Sequence, residues 1–228
     1  MRPVLTAALA LLLIVVTIPE IRGNDRSIER LESRYRNAKT MEAQFLERYY
    51  ENGKQVRAEA GRAYFQRPGK MRWDYESPEK NTFVVDGKLV WFYSPTDHTV
   101  TRMPAKQSED WRTPLAFLTS HMKLSRICAT IQPDRQTVPL AAVNEVFACA
   151  LQETAGAGGR GRVASLEISP EGELARVVVP NEGGVRLEFS FAAWKFNPPL
   201  DKSLFEFLPP SDAVIVDGAL PEVPGMRQ

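Results

Sequence analysis

From Met41 onward the sequence consists of short runs in which apolar and polar residues alternate, a period of two that predicts β-strands. In the first run Met41, Ala43 and Phe45 are separated by polar residues, and later runs are separated by Gly-, Pro- and Asn-containing turns. Asp86-Gly87 between NTFVV and KLVWFY predicts a hairpin with a type I′ turn, in which both residues have positive φ. The pattern predicts one β-rich domain.

Two helices interrupt this pattern. Ser27 is a candidate N-cap for an amphipathic helix over SIERLESRYRNAK. Its apolar residues recur at helical spacing, at Ile28, Leu31, Tyr35 and Ala38. A second helix is predicted over residues 113–122, TPLAFLTSHM, where Pro114 suits the first turn.

The first 23 residues are typical of a secretory signal peptide, with an early Arg2, a short apolar run and then small and polar residues. The apolar run is shorter than the roughly 20 residues that a membrane span requires, although an uncleaved anchor remains an alternative. We therefore expect residues 1–23 to be a signal peptide and residues 24–228 to form a single domain in an extracytoplasmic compartment.

Charge excludes one class of partner. Without residues 1–23 the chain has 27 basic and 27 acidic residues, so its formal net charge is zero. Nucleic-acid binders usually have a marked basic excess, and a polybasic block for anionic lipid is also missing. We expect no nucleic-acid partner.

Two cysteines, Cys128 and Cys149, lie in runs that are predicted to pair as antiparallel strands. In an oxidising compartment they are expected to form a disulfide, and two buried thiols are the alternative.

The stretch from Phe65 to Tyr75 has one apolar and one charged face. Phe65, Met71, Trp73 and Tyr75 share odd parity, and the even-numbered residues between Met71 and Tyr75 are charged. Arg67 falls on the apolar face by the same parity, where a guanidinium is costly without partners. An ordinary hydrophobic core explains the aromatic residues equally well, and Pro68-Gly69 can shift the register.

Four motifs carry a resemblance to a known family. They are RPGKMRWDY (67–75), VDGKLVWFYSP (85–95), TPLAFL after it, and LFEFLPPSDAVIVD near the end, preceded in the chain by an opening helix and AQF. In this order and spacing they resemble the LolA family, periplasmic carriers of outer-membrane lipoproteins. The resemblance covers most of the chain. It implies an unclosed antiparallel β-barrel, a β-rich α+β fold, with a helical lid over an apolar concave face.

The resemblance also implies that lipoprotein acyl chains enter between sheet and lid, and that Arg67 is a latch that bonds to lid groups in the closed state. The apolar residues expected to line this lipid-binding cavity are Ile28, Leu31, Tyr35, Met41, Phe45, Phe65, Met71, Trp73, Tyr75, Phe83, Val85, Leu89, Trp91, Tyr93, Leu115 and Leu118.

By this resemblance the protein is a monomeric, soluble periplasmic carrier that uses no cofactor or metal and moves lipoproteins from the inner to the outer membrane. Its expected partners are acylated lipoproteins, an inner-membrane lipoprotein-releasing transporter as donor, and an outer-membrane receptor or membrane as acceptor. A carrier of other lipids and a lipid-sensing regulatory module are the alternatives. The only histidines, His98 and His121, stand in no motif that is typical of catalysis, so we expect no enzyme.

Overall fold

The computed structural model describes residues 23–105, 118, 123–152, 163–180 and 182–218. Most of the predicted helix at 113–122 lies outside the described residues, as do residues 1–22 and the glycine-rich turn at 156–161.

In these residues one helix precedes twelve strands. The helix is α1 (Gly23–Asn37). The strands are β1 (Thr40–Glu51), β2 (Lys54–Gln66), β3 (Lys70–Ser77), β4 (Thr82–Val85), β5 (Leu89–Ser94), β6 (Thr99–Pro104), β7 (Cys128–Pro133), β8 (Glu145–Leu151), β9 (Val163–Ile168), β10 (Leu174–Pro180), β11 (Val185–Phe196) and β12 (Val214–Asp217).

The described strands form one sheet in the order β12-β6-β5-β4-β3-β2-β1-β11-β10-β9-β8-β7. Its two edge strands, β12 and β7, do not pair with each other in the described part of the chain, so the sheet is unclosed as predicted. Neighbouring strands are antiparallel except at one edge, where β12 runs parallel to β6. The predicted antiparallel sheet is therefore confirmed, and β12 is a parallel addition at its edge.

β1 lies near the middle of the sheet, and its alternation separates the two faces. Met41, Ala43 and Phe45 are buried on the face that α1 covers, which we call the inner face, and the residues between them point away. β1 pairs with β2 on one side and with β11 on the other. Gly61 of β2 is required at a close approach to β3, because a Cβ there would lie 2.0 Å from the Asp74 carbonyl oxygen.

α1 lies on the inner face through its apolar stripe. Leu31 and Tyr35 are completely buried, and the Tyr35 ring meets Trp194 edge-on with a centroid distance of 5.2 Å. The Tyr35 hydroxyl accepts a hydrogen bond from the Leu174 N–H at 3.0 Å, which ties the helix to β10. The helix was predicted correctly, but it begins at Gly23, so Ser27 lies inside it and is not the N-cap.

The β4–β5 hairpin is confirmed, but its turn is longer than a type I′ turn. Val85 pairs with Val90, and of Asp86 and Gly87 only the glycine has positive φ, 98°. The Asp86 carboxylate accepts the N–H groups of Lys88 and Leu89 at 2.7 and 2.8 Å, which stabilises the longer loop.

The structure contains a disulfide between Cys128 and Cys149, whose Cα atoms are 5.2 Å apart. The two cysteines are not directly opposite each other in the strand pair, since Cys128 pairs with Leu151 and Cys149 pairs with Ile131. A register shift between Cys128 and Thr130 brings the cysteines together. Both are buried in the inner-face core, so the bridge joins two strands at the edge of the sheet.

We predict that replacing both cysteines by serine lowers the free energy of unfolding by about 3 kcal/mol, because the bridge closes a loop of roughly 20 residues in the unfolded chain. Urea unfolding of the wild type and the double variant, each with and without reductant, measures this. Reductant should destabilise only the wild type. Two free thiols in unfolded, unreduced protein from the periplasm would contradict the bridge.

Candidate functional site

The inner face is a continuous aromatic surface centred on Trp73 of β3. The Trp73 ring lies 4.6 Å from Phe45 on β1, 5.9 Å from Phe65 on β2 and 5.7 Å from Phe189 on β11, measured between centroids. All these contacts are edge-to-face, an arrangement that aromatic rings prefer. Four strands that are adjacent in the sheet therefore contribute to one apolar surface.

Most of the predicted cavity residues lie on this face. Those that are buried there are Leu31, Tyr35, Met41, Phe45, Phe65, Met71, Trp73, Phe83, Val85 and Leu118, with Ile28 and Tyr75 partly buried against them. Leu118, the one residue of the second predicted helix that the structure describes, is completely buried in this core. Leu115 lies outside the described residues.

Three predicted cavity residues are on the wrong face. Leu89, Trp91 and Tyr93 of β5 belong to a separate cluster on the outer face, where Phe207 packs against both aromatic rings. The loop between Val85 and Val90 has an even number of residues, so each odd-numbered residue of β4 pairs with an even-numbered residue of β5. The inner-face residues are therefore odd-numbered on β4 and even-numbered on β5.

The largest set that the sequence analysis missed is on β11. Phe189 and Phe191 are buried on the inner face, and Trp194 and Phe196 pack against it. The alternation in VRLEFSF indicates the first pair. The second pair is even-numbered, because the pairing register between β11 and β1 shifts beside Ala193, which has a φ of 52°. No local sequence pattern reveals that shift.

A carboxylate stands within this apolar face. Glu47 of β1 is completely buried, and it accepts hydrogen bonds from the hydroxyls of Tyr49 at 2.5 Å and Tyr75 at 3.0 Å. Its cross-strand partner is Glu59, which is itself buried and paired with Arg57 at 2.7 Å. Burial, and then the negative charge of Glu47, raise the pKa of Tyr49 far above its usual value.

Arg67 follows the end of β2, where its backbone N–H donates to the Lys39 carbonyl at 3.0 Å. All three guanidinium nitrogens are buried, and none finds a hydrogen-bond acceptor among the described residues. Burial accordingly lowers the pKa of Arg67. The side chain thus holds desolvated donors at the end of the strand that carries Phe65.

In residues 23–105, 118, 123–152, 163–180 and 182–218, no three His, Cys, Asp or Glu side chains are grouped as a metal site. His98 lies in an exposed turn, with its Nδ1 atom 3.3 Å from Asp212. The described part of the chain also contains no helix that is long and apolar enough to cross a membrane.

Known proteins are similar to this chain over most of its length. The family model described as "Outer membrane lipoprotein carrier protein LolA" matches residues 36–208. An outer-membrane lipoprotein carrier protein of Methylococcus capsulatus is 31% identical over 185 residues, 80% of this chain and 83% of that protein. Its namesake from Xanthomonas axonopodis pv. citri is 28% identical over 192 residues, 84% of this chain and 88% of that protein.

Among solved structures, an uncharacterized conserved protein from Thermus thermophilus matches with a TM-score of 0.52 at 16% sequence identity. The match covers 86% of this chain and 99% of that one. At this identity the likeness concerns the fold alone.

We predict that Tyr49→Phe lowers the free energy of unfolding by about 1.5–3 kcal/mol at neutral pH, because a buried carboxylate loses a donor. The folded state holds the Tyr49 proton more tightly than the unfolded state, so this contribution is complete below about pH 10 and declines above it. The difference between wild type and variant should therefore shrink as pH rises through that range.

Urea unfolding at several pH values measures both effects. Tyr50→Phe, on the opposite face of β1, is the control, since its ring lies against the Arg186 guanidinium at 3.9 Å and not against Glu47. An equal loss in the two variants would show that the Glu47 contact is not responsible.

Proposed function

This chain belongs to the LolA family of outer membrane lipoprotein carrier proteins, and from that premise we propose how its inner face carries acyl chains between membranes. The observation that supports the proposal most directly is the continuous apolar surface of β1, β2, β3 and β11 under α1. Apart from the charged cluster of Glu47, Glu59 and Arg57, the side chains described on it are apolar or aromatic, which suits flexible acyl chains without specific polar recognition.

The energetics explain why such a carrier is needed. Burying one CH₂ is worth roughly 0.8 kcal/mol, so one sixteen-carbon chain represents about 12 kcal/mol. A lipoprotein with several such chains leaves a membrane too slowly unless another apolar surface receives them. A carrier must therefore offer a large apolar area and keep it out of water when empty.

The described contacts between α1 and the sheet are those expected of a closed form. Leu31 and Tyr35 of α1 occupy the inner face, and the rings of Phe45, Phe65 and Trp73 fill the space beside them. Acyl chains must displace some of these contacts, so closing and loading compete for one surface. Because the two states compete, cargo can be released again.

We further propose that Arg67 is the latch of the closed state. Its buried guanidinium is costly without acceptors, and carbonyl groups at the end of a lid helix would provide them. Opening the lid would break these bonds and expose the guanidinium to water. The latch would then set how easily cargo enters and leaves.

The remaining parts of the proposal concern the cellular setting. Residues 1–23 direct the chain to the periplasm, and residues 24–228 work there as a monomer and a single domain. An inner-membrane lipoprotein-releasing transporter loads it, and an outer-membrane receptor or membrane accepts the cargo. A carrier of other lipids is the second candidate, because the apolar face has little that would recognise a particular headgroup.

We predict that the protein binds a fluorescent fatty acyl probe at micromolar concentration and that palmitate displaces it. Trp73→Leu should weaken binding roughly tenfold by removing aromatic contacts from the inner face. Trp91→Leu is the matched control on the outer face. Circular dichroism checks that both variants fold. Equal affinities in both variants, or no displaceable binding by the wild type, would contradict an acyl site on the inner face.

We predict that Arg67→Leu retains acyl cargo more tightly and transfers it poorly, because charge-assisted bonds of roughly 1.5–3 kcal/mol each no longer favour closure. The assay follows a labelled lipoprotein from purified carrier to acceptor membranes or receptor. Arg62→Leu is the control, since Arg62 is exposed and contacts Glu76 at 3.3 Å.

Transfer by Arg67→Leu at the wild-type rate, with unchanged retention, would show that Arg67 is not a latch. Weaker retention would instead assign the guanidinium to the cargo itself. Mass spectrometry of material that co-purifies from the native envelope separates a lipoprotein carrier from a carrier of other lipids.

A further inference from the structure

The loop between β7 and β8, residues 134–144, exposes an unusual amount of aliphatic surface. Val138 is 81% exposed, Leu140 53% and Val143 70%, although they lie within six positions of one another. Single exposed aliphatic residues are common on proteins, but a cluster at one loop tip marks a contact site or a liability. We call residues 134–144 the apolar loop, and its three exposed aliphatic residues the tip.

A buried carboxylate holds the apolar loop against the outer face of the sheet. Glu167 of β9 is 1% exposed and accepts hydrogen bonds from the Leu140 N–H at 2.6 Å and the Asn144 side chain at 2.7 Å. Arg176 of β10 pairs with Glu167 at 2.8 Å and donates to the Val138 carbonyl at 2.8 Å. The backbone on both sides of the tip is therefore fixed.

The start of the loop is fixed in the same way. Asp134 accepts hydrogen bonds from the N–H groups of Gln136 and Thr137 and from the Thr137 hydroxyl at 2.6 Å. These bonds, the Thr137 hydroxyl first, lower the pKa of Asp134. These hydrogen bonds fix the backbone that carries the exposed aliphatic side chains, so their exposure is not the result of a flexible loop.

The charges beside the tip are mostly basic. Arg135 is the only charged residue between Asp134 and Asn144, and it is exposed. Val143 shares a surface cleft with Arg26 and Arg30 of α1, which are both exposed, and with Glu145, the one acidic residue that lines the cleft. The carboxylates of Asp134 and Glu167 are occupied by the loop's own hydrogen bonds, so they oppose this positive charge less.

The sequence has no polybasic block, but the fold brings Arg26 and Arg30 to the loop that carries Arg135. We propose that the apolar loop with these three arginines is a docking surface for an anionic phospholipid bilayer. Aliphatic side chains enter the acyl region while arginines meet lipid phosphates, which is the chemistry of interfacial membrane binding. The aliphatic tip favours a bilayer over a protein partner, because Leu and Val are under-represented in protein hot spots and residues 134–144 contain no Trp or Tyr.

The reason for such a membrane contact rests on the proposed function. A carrier of acyl chains collects or delivers them at a bilayer, and a shallow, reversible contact would keep it at the surface during the exchange. Three aliphatic side chains and three arginines are few, so we expect weak binding that salt reduces.

The test is co-sedimentation of the purified protein with vesicles of phosphatidylethanolamine and phosphatidylglycerol, compared with vesicles of phosphatidylcholine. Val138→Ser with Val143→Ser should weaken binding to the anionic vesicles about tenfold, which corresponds to about 1.4 kcal/mol. Arg26→Gln with Arg135→Gln should reduce binding to the anionic vesicles only. Leu208→Ser is the matched control, since Leu208 is 86% exposed outside the apolar loop and should have no effect.

Three results would overturn the proposal: no binding to anionic vesicles, equal binding by the valine double variant, or the same loss in Leu208→Ser. A valine double variant that binds vesicles normally but fails to receive cargo from a purified transporter would assign the loop to a protein partner instead. The acyl-probe assay without vesicles separates this proposal from the carrier function. If the protein binds vesicles but not the acyl probe, only the carrier function is overturned. If it binds the acyl probe but not vesicles, only the docking surface is overturned.

Discussion

Burial of one apolar face of an unclosed sheet is the constraint on which the rest of the structure depends. The alternation along β1 places Met41, Ala43 and Phe45 on the same side, and neighbouring strands extend that surface in both directions. A closed barrel would bury such a face against itself, but an open sheet needs another element to cover it. Leu31 and Tyr35 of α1 do this in the described structure. Since the cover belongs to a separate element, we propose that lipid can take its place on this face.

Much of this architecture follows from sequence patterns, because strands with one buried face must alternate. The helix and the inner-face positions of Phe65, Met71 and Trp73 were predictable from such periodicity, whereas the unclosed sheet was an expectation from the family resemblance. The misplacement of Trp91 and the parallel direction of β12 have a different origin. Both depend on how a connection returns the chain to the sheet, and side-chain parity within one strand contains no information about that geometry.

The buried polar groups show a second limit of sequence reasoning. Glu47 occupies an inward position that the pattern reserves for an apolar residue, and its tyrosine donors come from β1 and β3. Only the folded sheet brings Tyr75 within reach of β1, so no local pattern identifies the cluster. The pattern of charged residues in the sequence likewise does not predict that Glu167 is buried, where it accepts a hydrogen bond from the loop between β7 and β8.

The C-terminal segment has a consequence for solubility. After β11 the chain crosses the outer face, where Phe207 covers Trp91, and then adds β12 to the free side of β6. Without that addition the backbone donors and acceptors of β6 would be available as a template for a strand from another molecule. β12 has only four residues and is paired to Arg102 through Asp217, so the new edge is short and flanked by charge. The segment thus removes β6 from the edge of the sheet, and the exposed aliphatic side chains of Val214, Ile215 and Val216 make the shortness of β12 the main limit on intermolecular sheet growth.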